Sequence, residues 1–192
     1  DAIPYSASCR GVTAFDPTKG STALDNNTAR PTPAQVASTS ITGPATALEE
    51  CTGLRILEAT LDARLIEVDA DTGKPCPGFG TNGEVDTTVG LGNVYPGMAA
   101  MTVAPTIVNG TIVVGRQVMD GQRNDAPSGA IMAFDATTGE RKWAWDMGRP
   151  GETGWPAEGE EFTRGTPNMW TSAAGDDDLN MVYLPLGNSS SD

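Results

Sequence analysis

The sequence predicts an all-β chain that forms part of a β-propeller, about three blades of it. Three observations carry this expectation: strand patterns broken by turn residues, a repeated strand–turn–strand unit followed by tryptophan, and many turn formers. With 23 glycines and 14 prolines among 192 residues, turns must be frequent, and 38% apolar residues suffice for a core. Residues 64–69 alternate with a period of two, as does part of 106–115, where Asn109-Gly110 marks a hairpin turn. Residues 130–135 and 181–186 read as two further strands. Residues 20–50, rich in Thr, Ala, Asn and Pro with little periodicity, read as an irregular insertion. Residues 148–166, rich in Gly, Pro and Glu, read as a long ordered loop, a kind of segment that tends to carry function.

The repeat is the strongest architectural signal. Leu65-Ile-Glu-Val-Asp-Ala-Asp-Thr-Gly-Lys74 and Ile131-Met-Ala-Phe-Asp-Ala-Thr-Thr-Gly-Glu140 share apolar, x, x, apolar, Asp, Ala, x, Thr, Gly. The aspartate can bond the turn amides and glycine accepts a positive φ, so each copy reads as strand, turn, strand. After the second copy, Trp143 and Trp145 supply apolar bodies for packing between neighbouring sheets and read as structural. The 66 residues from Asp69 to Asp135 hold one four-stranded sheet plus an insertion. Phe15-Asp-Pro-Thr-Lys-Gly20 is a fainter third copy. Repeated four-stranded units of this kind mark propeller blades, and closure takes roughly 4–8 of them, so a partial propeller is expected.

Composition removes several function classes. A formal net charge of −13, from 12 basic against 25 acidic residues, excludes a generic nucleic-acid binder and disfavours anionic membrane surfaces. With no histidine, Ser-His-Asp and Cys-His relays and His-ligated zinc or haem are excluded, leaving oxygen-ligated hard cations as the natural metals. Cys9, Cys51 and Cys76 form no C-x-x-C pair. Cys51 and Cys76 flank one strand-rich unit and can form a disulfide in an oxidising compartment, leaving Cys9 free. No apolar run approaches the roughly 18 residues of a membrane span. Neither end carries a targeting signal or a closing element, and both are expected to be cut points in a longer chain.

The string from Arg164 to Asn188, Arg-Gly-Thr-Pro-Asn-Met-Trp-Thr-Ser-Ala-Ala-Gly-Asp-Asp-Asp-Leu-Asn-Met-Val-Tyr-Leu-Pro-Leu-Gly-Asn, is highly specific. With Cys9-Arg-Gly-Val12 and Pro127-Ser-Gly-Ala-Ile-Met-Ala-Phe-Asp135, it resembles the pyrroloquinoline quinone (PQQ)-dependent dehydrogenases, and within them the membrane-bound glucose, quinate and shikimate group. The similarity runs from about Tyr5 to the end of the chain and is weakest across residues 20–50. The resemblance implies an eight-bladed quinoprotein propeller with PQQ and Ca²⁺ (or Mg²⁺) on its axis. It also implies oxidation of a sugar, polyol or cyclitol at the periplasmic face of the bacterial inner membrane, with electrons passing to ubiquinone. Membrane contact would be made only through parts absent here. On this reading residues 1–192 are a fragment of the PQQ-binding domain.

A flat tricarboxylate needs an aromatic floor and polar partners, beside a cation that polarises its reactive carbonyl. By resemblance, Trp170 stacks under the ring, Thr102 hydrogen-bonds the cofactor, and Arg10 offers a guanidinium fork near the quinone. Asn168 stands where other branches have threonine and can donate to PQQ, and Gln117, Val118 and Met119 run along the cofactor edge with backbone groups. The metal-ligand positions match Asn188 and Asp120, the latter where related alcohol dehydrogenases place a longer glutamate. Trp155, in the long loop, has no assigned role. A histidine commonly precedes Cys-Arg-Gly in the glucose enzymes, whereas here the stretch is Pro4-Tyr-Ser-Ala-Ser-Cys9, which leans toward a quinate or polyol type.

In the family an aspartate in a His-Asp-x-Trp-Asp-type motif is the general base, and no such motif occurs here. This chain is therefore expected to hold about half of the cofactor site and no catalytic residue. Two rival classes are a non-catalytic PQQ-repeat scaffold and a calcium-dependent sugar-binding module. The scaffold does not need Arg10, Thr102, Asp120, Trp170 and Asn188 together, and the module predicts carbohydrate affinity without PQQ. The run Asp176-Asp-Asp178 lacks the glycine and distal glutamate of an EF-hand and reads as a solvated turn.

Overall fold

The computed structural model describes residue 51 and residues 53–95, 97–119 and 125–190, together with the backbones of three earlier strands. Those are β1 (Val12–Asp16), β2 (Ser21–Asn26) and β3 (Ala37–Ile41). Every regular element among the described residues is a strand. The first four-stranded antiparallel sheet is a meander of β3, β4 (Arg55–Ala59), β5 (Arg64–Asp69) and β6 (Glu84–Asp86). The second runs β8 (Thr106–Val108), β9 (Thr111–Val114), β11 (Ile131–Asp135), β12 (Arg141–Trp145). A short pair, β7 (Ala99–Ala100) with β10 (Gln117–Val118), and two hairpins, β1–β2 and β13 (Ala174–Asp176) with β14 (Met181–Tyr183), complete the set. Two full blades with a strand pair on either side along the chain make a partial propeller, as the sequence predicts.

The repeat folds the same way twice. Asp69 Oδ1 accepts the Thr72 N–H at 2.8 Å and the Asp71 N–H at 3.1 Å. Asp135 Oδ1 accepts those of Thr138 and Thr137 at 3.0 and 2.9 Å. Gly73 and Gly139 take φ of 70° and 71°, the left-handed conformation that closes each turn. Asp69 N–H then donates to the Lys74 carbonyl and Asp135 N–H to that of Glu140, five residues on in both copies. The faint copy obeys the same offset, for Asp16 pairs with Ser21 across the β1–β2 hairpin.

The blades pack through alternating faces of one strand. Met132 and Phe134 of β11 join Leu57, Ala59, Leu65, Ile112 and Val114 in the core between the two sheets. Ile131 and Ala133, pointing the other way, join Val113 and Met169 in a second core. Trp143 and Trp145 pack there with Val182, Leu184 and Leu186, which is the structural role expected of them. Full burial of each such side chain contributes about 1.5–3 kcal/mol relative to exposure, so a strand buried on both faces is where substitution costs most.

Three sequence expectations are sharpened. Strands β2 and β3 run through the stretch read as irregular, β3 pairing along its length with β4. The strand expected over 181–186 ends at Tyr183, because Pro185 has no N–H to give a ladder. Trp155 packs between Phe134 and Phe162, with centroids at 5.7 and 5.9 Å and the Arg141 guanidinium 4.9 Å from its ring, so its role is structural. The hairpin at Asn109-Gly110 forms with both residues at positive φ, and Cys51 and Cys76 are joined in a disulfide with Cα atoms 5.6 Å apart. Cys9 lies outside the described residues.

Candidate functional site

Two of the three strings that carry the family resemblance meet in space. Ser128 Oγ lies 3.1 Å from Thr166 Oγ1, which also accepts the Gly129 N–H at 3.0 Å. This buried seam fixes the start of the segment leading to Trp170, and Met169 anchors its middle in the second core. Trp170 is thereby held at the surface, 57% exposed, with its neighbour locked inside. Behind it, the Thr102 hydroxyl donates to the Trp170 carbonyl at 3.3 Å. The Gly187 N–H donates to the Asn168 carbonyl at 2.8 Å, and a side chain at Gly187 would meet Trp170 Nε1 at 2.9 Å. Asn188, the next residue, is exposed.

Thr102, Asn168, Trp170 and Asn188 are thus brought together. Gln117, Val118 and Met119 arrive from another loop. Gln117 pairs with Ala100 and Val118 with Ala99, and the Met119 N–H donates to the Met98 carbonyl at 3.0 Å. This places them along the strand that leads into Thr102. Gln117 and Met119 are exposed, whereas Val118 and Asn168 are 3% and 2% exposed. Arg10 and Asp120 lie outside the described residues. An exposed indole, a hydroxyl and the Asn188 amide oxygen are the donor and stacking types that a planar polycarboxylate and a hard cation take, so the residues fit such a group.

The structure adds two residues that sequence patterning did not single out. Arg116, beside Gln117, is completely buried; it donates to the Thr87 carbonyl at 3.2 Å and reaches Met132 Sδ at 3.0 Å. Burial lowers its pKa to about 10, against the raising effect of Asp86. A single arginine at the end of an apolar strand reads as a solvated terminus, so nothing local marks it as internal. Asp146 organises the long loop, accepting the N–H and hydroxyl of Thr163, both at 2.8 Å, and the Gly148 N–H at 2.9 Å. Burial works to raise its pKa, but these bonds and Arg149 hold it below the usual carboxylate value. Among the described residues, no three His, Cys, Asp or Glu side chains gather as a metal site.

Comparison with known proteins bears on the whole chain. The family model for the PQQ glucose/ethanol/alcohol dehydrogenase β-propeller domain matches residues 2–192. The chain is 44% identical over 192 residues to the glycerol dehydrogenase large subunit of Gluconobacter oxydans (strain 621H), covering 100% of this chain and 22% of that protein. It is 39% identical over 185 residues to the quinate/shikimate dehydrogenase (quinone) of Acinetobacter baylyi, covering 96% and 22%. With the quinoprotein glucose dehydrogenase of Gluconobacter oxydans (strain 621H) it shares 35% identity over 181 residues, covering 93% and 20%. The chain therefore spans about 22% of the length of the first relatives it matches.

Proposed function

The chain belongs to the PQQ glucose/ethanol/alcohol dehydrogenase β-propeller family, and on that premise we propose that it is a segment of a PQQ-dependent dehydrogenase oxidising a sugar or polyol. The observation that carries this reading is the exposed face of Trp170, braced by Thr102 and Gly187. When bound, PQQ supplies the two-electron oxidant and Ca²⁺ or Mg²⁺ polarises its carbonyl.

The chain's own residues bind and orient. Trp170 would give the aromatic floor, its backbone held by the Thr102 bond and its ring lying close to the bare Gly187. The Asn188 side-chain oxygen, with Asp120, would hold the cation. Gln117 and Met119 border the cofactor edge, Val118 contributes backbone groups, and Arg10 pairs with a carboxylate. Asn168 fixes the Trp170 segment through its carbonyl, and its side-chain amide is the proposed donor to PQQ. The catalytic base comes from outside this chain. The Cys51–Cys76 disulfide supports an oxidising, periplasm-facing location, and ubiquinone is the proposed electron acceptor.

The test is PQQ titration of the complete protein with Ca²⁺, followed by fluorescence, for wild type and Trp170→Ala. Loss of a stacked indole face should weaken binding about tenfold or more. Equal affinity in the two proteins would remove Trp170 from the site, and no PQQ binding by wild type would overturn the proposed function.

A further inference from the structure

Arg116 occupies a place where a cation is costly to keep. Its side chain is completely buried, and its Nε has no hydrogen-bond partner. The guanidinium is held by the Thr87 carbonyl at 3.2 Å and by Met132 Sδ at 3.0 Å, neither of which carries a charge. Two other arginines are buried among the described residues, and both are neutralised. Arg55 lies 3.1 Å from Glu67, and Arg64 lies 2.9 Å from Asp62 and from Glu84. Arg116 meets no carboxylate at ion-pair distance among the described residues. Asp86 acts on it only through space, its Oδ1 being taken by the Thr88 N–H and hydroxyl. An internal charge without a paired counter-ion destabilises the fold that encloses it, so packing does not explain its presence.

Its position relates it to the proposed cofactor site. The preceding residue, Gly115, abuts the Trp170 segment: a Cβ there would come within 2.6 Å of Met169 Cβ and 2.7 Å of the Met169 carbonyl oxygen. The following residue, Gln117, pairs with Ala100, two residues before the Thr102 that bonds the Trp170 carbonyl. The side chain turns away from Met169, toward Met132 in the core between the two sheets. Its other partner, Thr87, has its hydroxyl 3.9 Å from Met101 Sδ, directly before Thr102. The guanidinium is thus enclosed next to the segments that carry Thr102 and Gln117. A buried charge is screened little by water or salt, so its field reaches further than that of a surface arginine. The chain has a formal net charge of −13, and an internal cation offsets the repulsion that a tricarboxylate meets on approach.

We propose that Arg116 is an electrostatic binding residue for the anionic cofactor: its buried charge attracts the carboxylates through space, and the bound cofactor supplies negative charge that no described side chain pairs with it. The inference rests on the PQQ reading above and adds to it a residue that acts without contact.

The experiment measures Kd for PQQ by fluorescence titration of the complete protein with Ca²⁺. Arg116→Met and Arg116→Gln remove the charge, and Arg116→Lys keeps it without the planar fork. Asp86→Asn, at an exposed position, removes the opposing charge and keeps an oxygen for the Thr88 bonds. Each neutral variant should weaken PQQ binding about tenfold, and Arg116→Lys should stay within about threefold of wild type. Asp86→Asn should tighten binding about twofold, a gain that a purely structural role for Arg116 does not produce. Unchanged affinity in the neutral variants, or an equal loss in Arg116→Lys, overturns the inference. If the neutral variants do not fold, Asp86→Asn decides: tighter binding supports it, and unchanged or weaker binding overturns it. If wild type binds no PQQ, the dehydrogenase reading and this inference fall together, whereas wild-type binding matched by every variant overturns this inference alone.

Discussion

Among single residues, Asp135 shows how much one side chain can organise. Its Oδ1 receives the Thr137 and Thr138 amides, and Oδ2 lies 3.3 Å from Lys142 Nζ. Burial works to raise its pKa, but those amides and Lys142 together hold it below the usual value. The amide bonds should outweigh the ion pair, because Lys142 is about a third exposed and such pairs contribute little. Asp135→Ala should therefore cost about 2 kcal/mol in denaturant unfolding, whereas Lys142→Ala should cost under about 1 kcal/mol. Equal losses would show that the pair, not the turn, matters. Asp135 was legible in the sequence because its role is local, set by residues two and three positions on. Arg116 was not, since its burial depends on Thr87 and Met132, 29 and 16 residues away.

For whole elements, legibility follows the same division between local and distant causes. The Asn109-Gly110 hairpin and both Asp-to-Gly turns are determined by their own backbone chemistry and were readable. Strands β2, Ser-Thr-Ala-Leu-Asp-Asn, and β3, Ala-Ser-Thr-Ser-Ile, carry no apolar alternation. They are strands because β1 and β4 pair with them. The acidic turn shows a gain of another kind. Expected to be merely solvated, it receives the hairpin tip: Asp177 Oδ1 accepts the Asn109 N–H at 2.9 Å, while Asn109 Nδ2 donates to the Asp177 carbonyl and Asn180 Oδ1. The β4–β5 unit is also clasped covalently. Its disulfide spans 25 residues, and a loop of that length gives a stabilisation of about 3 kcal/mol in the chain-entropy account. Reduction, or the paired change Cys51→Ser with Cys76→Ser, should lower denaturant stability by that order, and an unchanged midpoint would contradict it.

Across the molecule as a whole, the charge balance makes stability depend on pH in two directions. Asp135 and Asp146 have depressed pKa values, so the stability they contribute is present above about pH 4 and is lost as acid protonates them. Glu58 behaves oppositely. Burial raises its pKa from 4.5 to about 7, with Arg64 lowering and Asp62 raising it further. Between those values the folded protein holds a proton that the unfolded chain has released, so stability falls as pH climbs from 4.5 toward 7. Glu67, also raised by burial to about 7 against the lowering effect of Arg55, adds a decline of its own. The share from Glu58 should be roughly 3 kcal/mol at most, and Glu58→Gln should reduce the slope in unfolding measured from pH 4.5 to 8. An unchanged slope in that variant would assign the decline to other groups. The candidate site was partly legible at this scale: the resemblance named Thr102, Trp170 and Asn188, and the structure brings them together. The cavity lined by Asn93, Tyr95, Met98, Asp125, Glu161 and Arg164 was not legible, because its lining comes from three separate loops, each featureless alone.

The position of the clasp has a bearing on the order in which the molecule is made. Cys51 stands just before β4 and Cys76 just after β5, so both thiols leave the ribosome, and enter any oxidising space, before β8 has followed. The link can close before the second four-stranded sheet is made. The β3–β6 blade is thus able to be sealed as a unit, and the β8–β12 blade is then laid down against a finished surface.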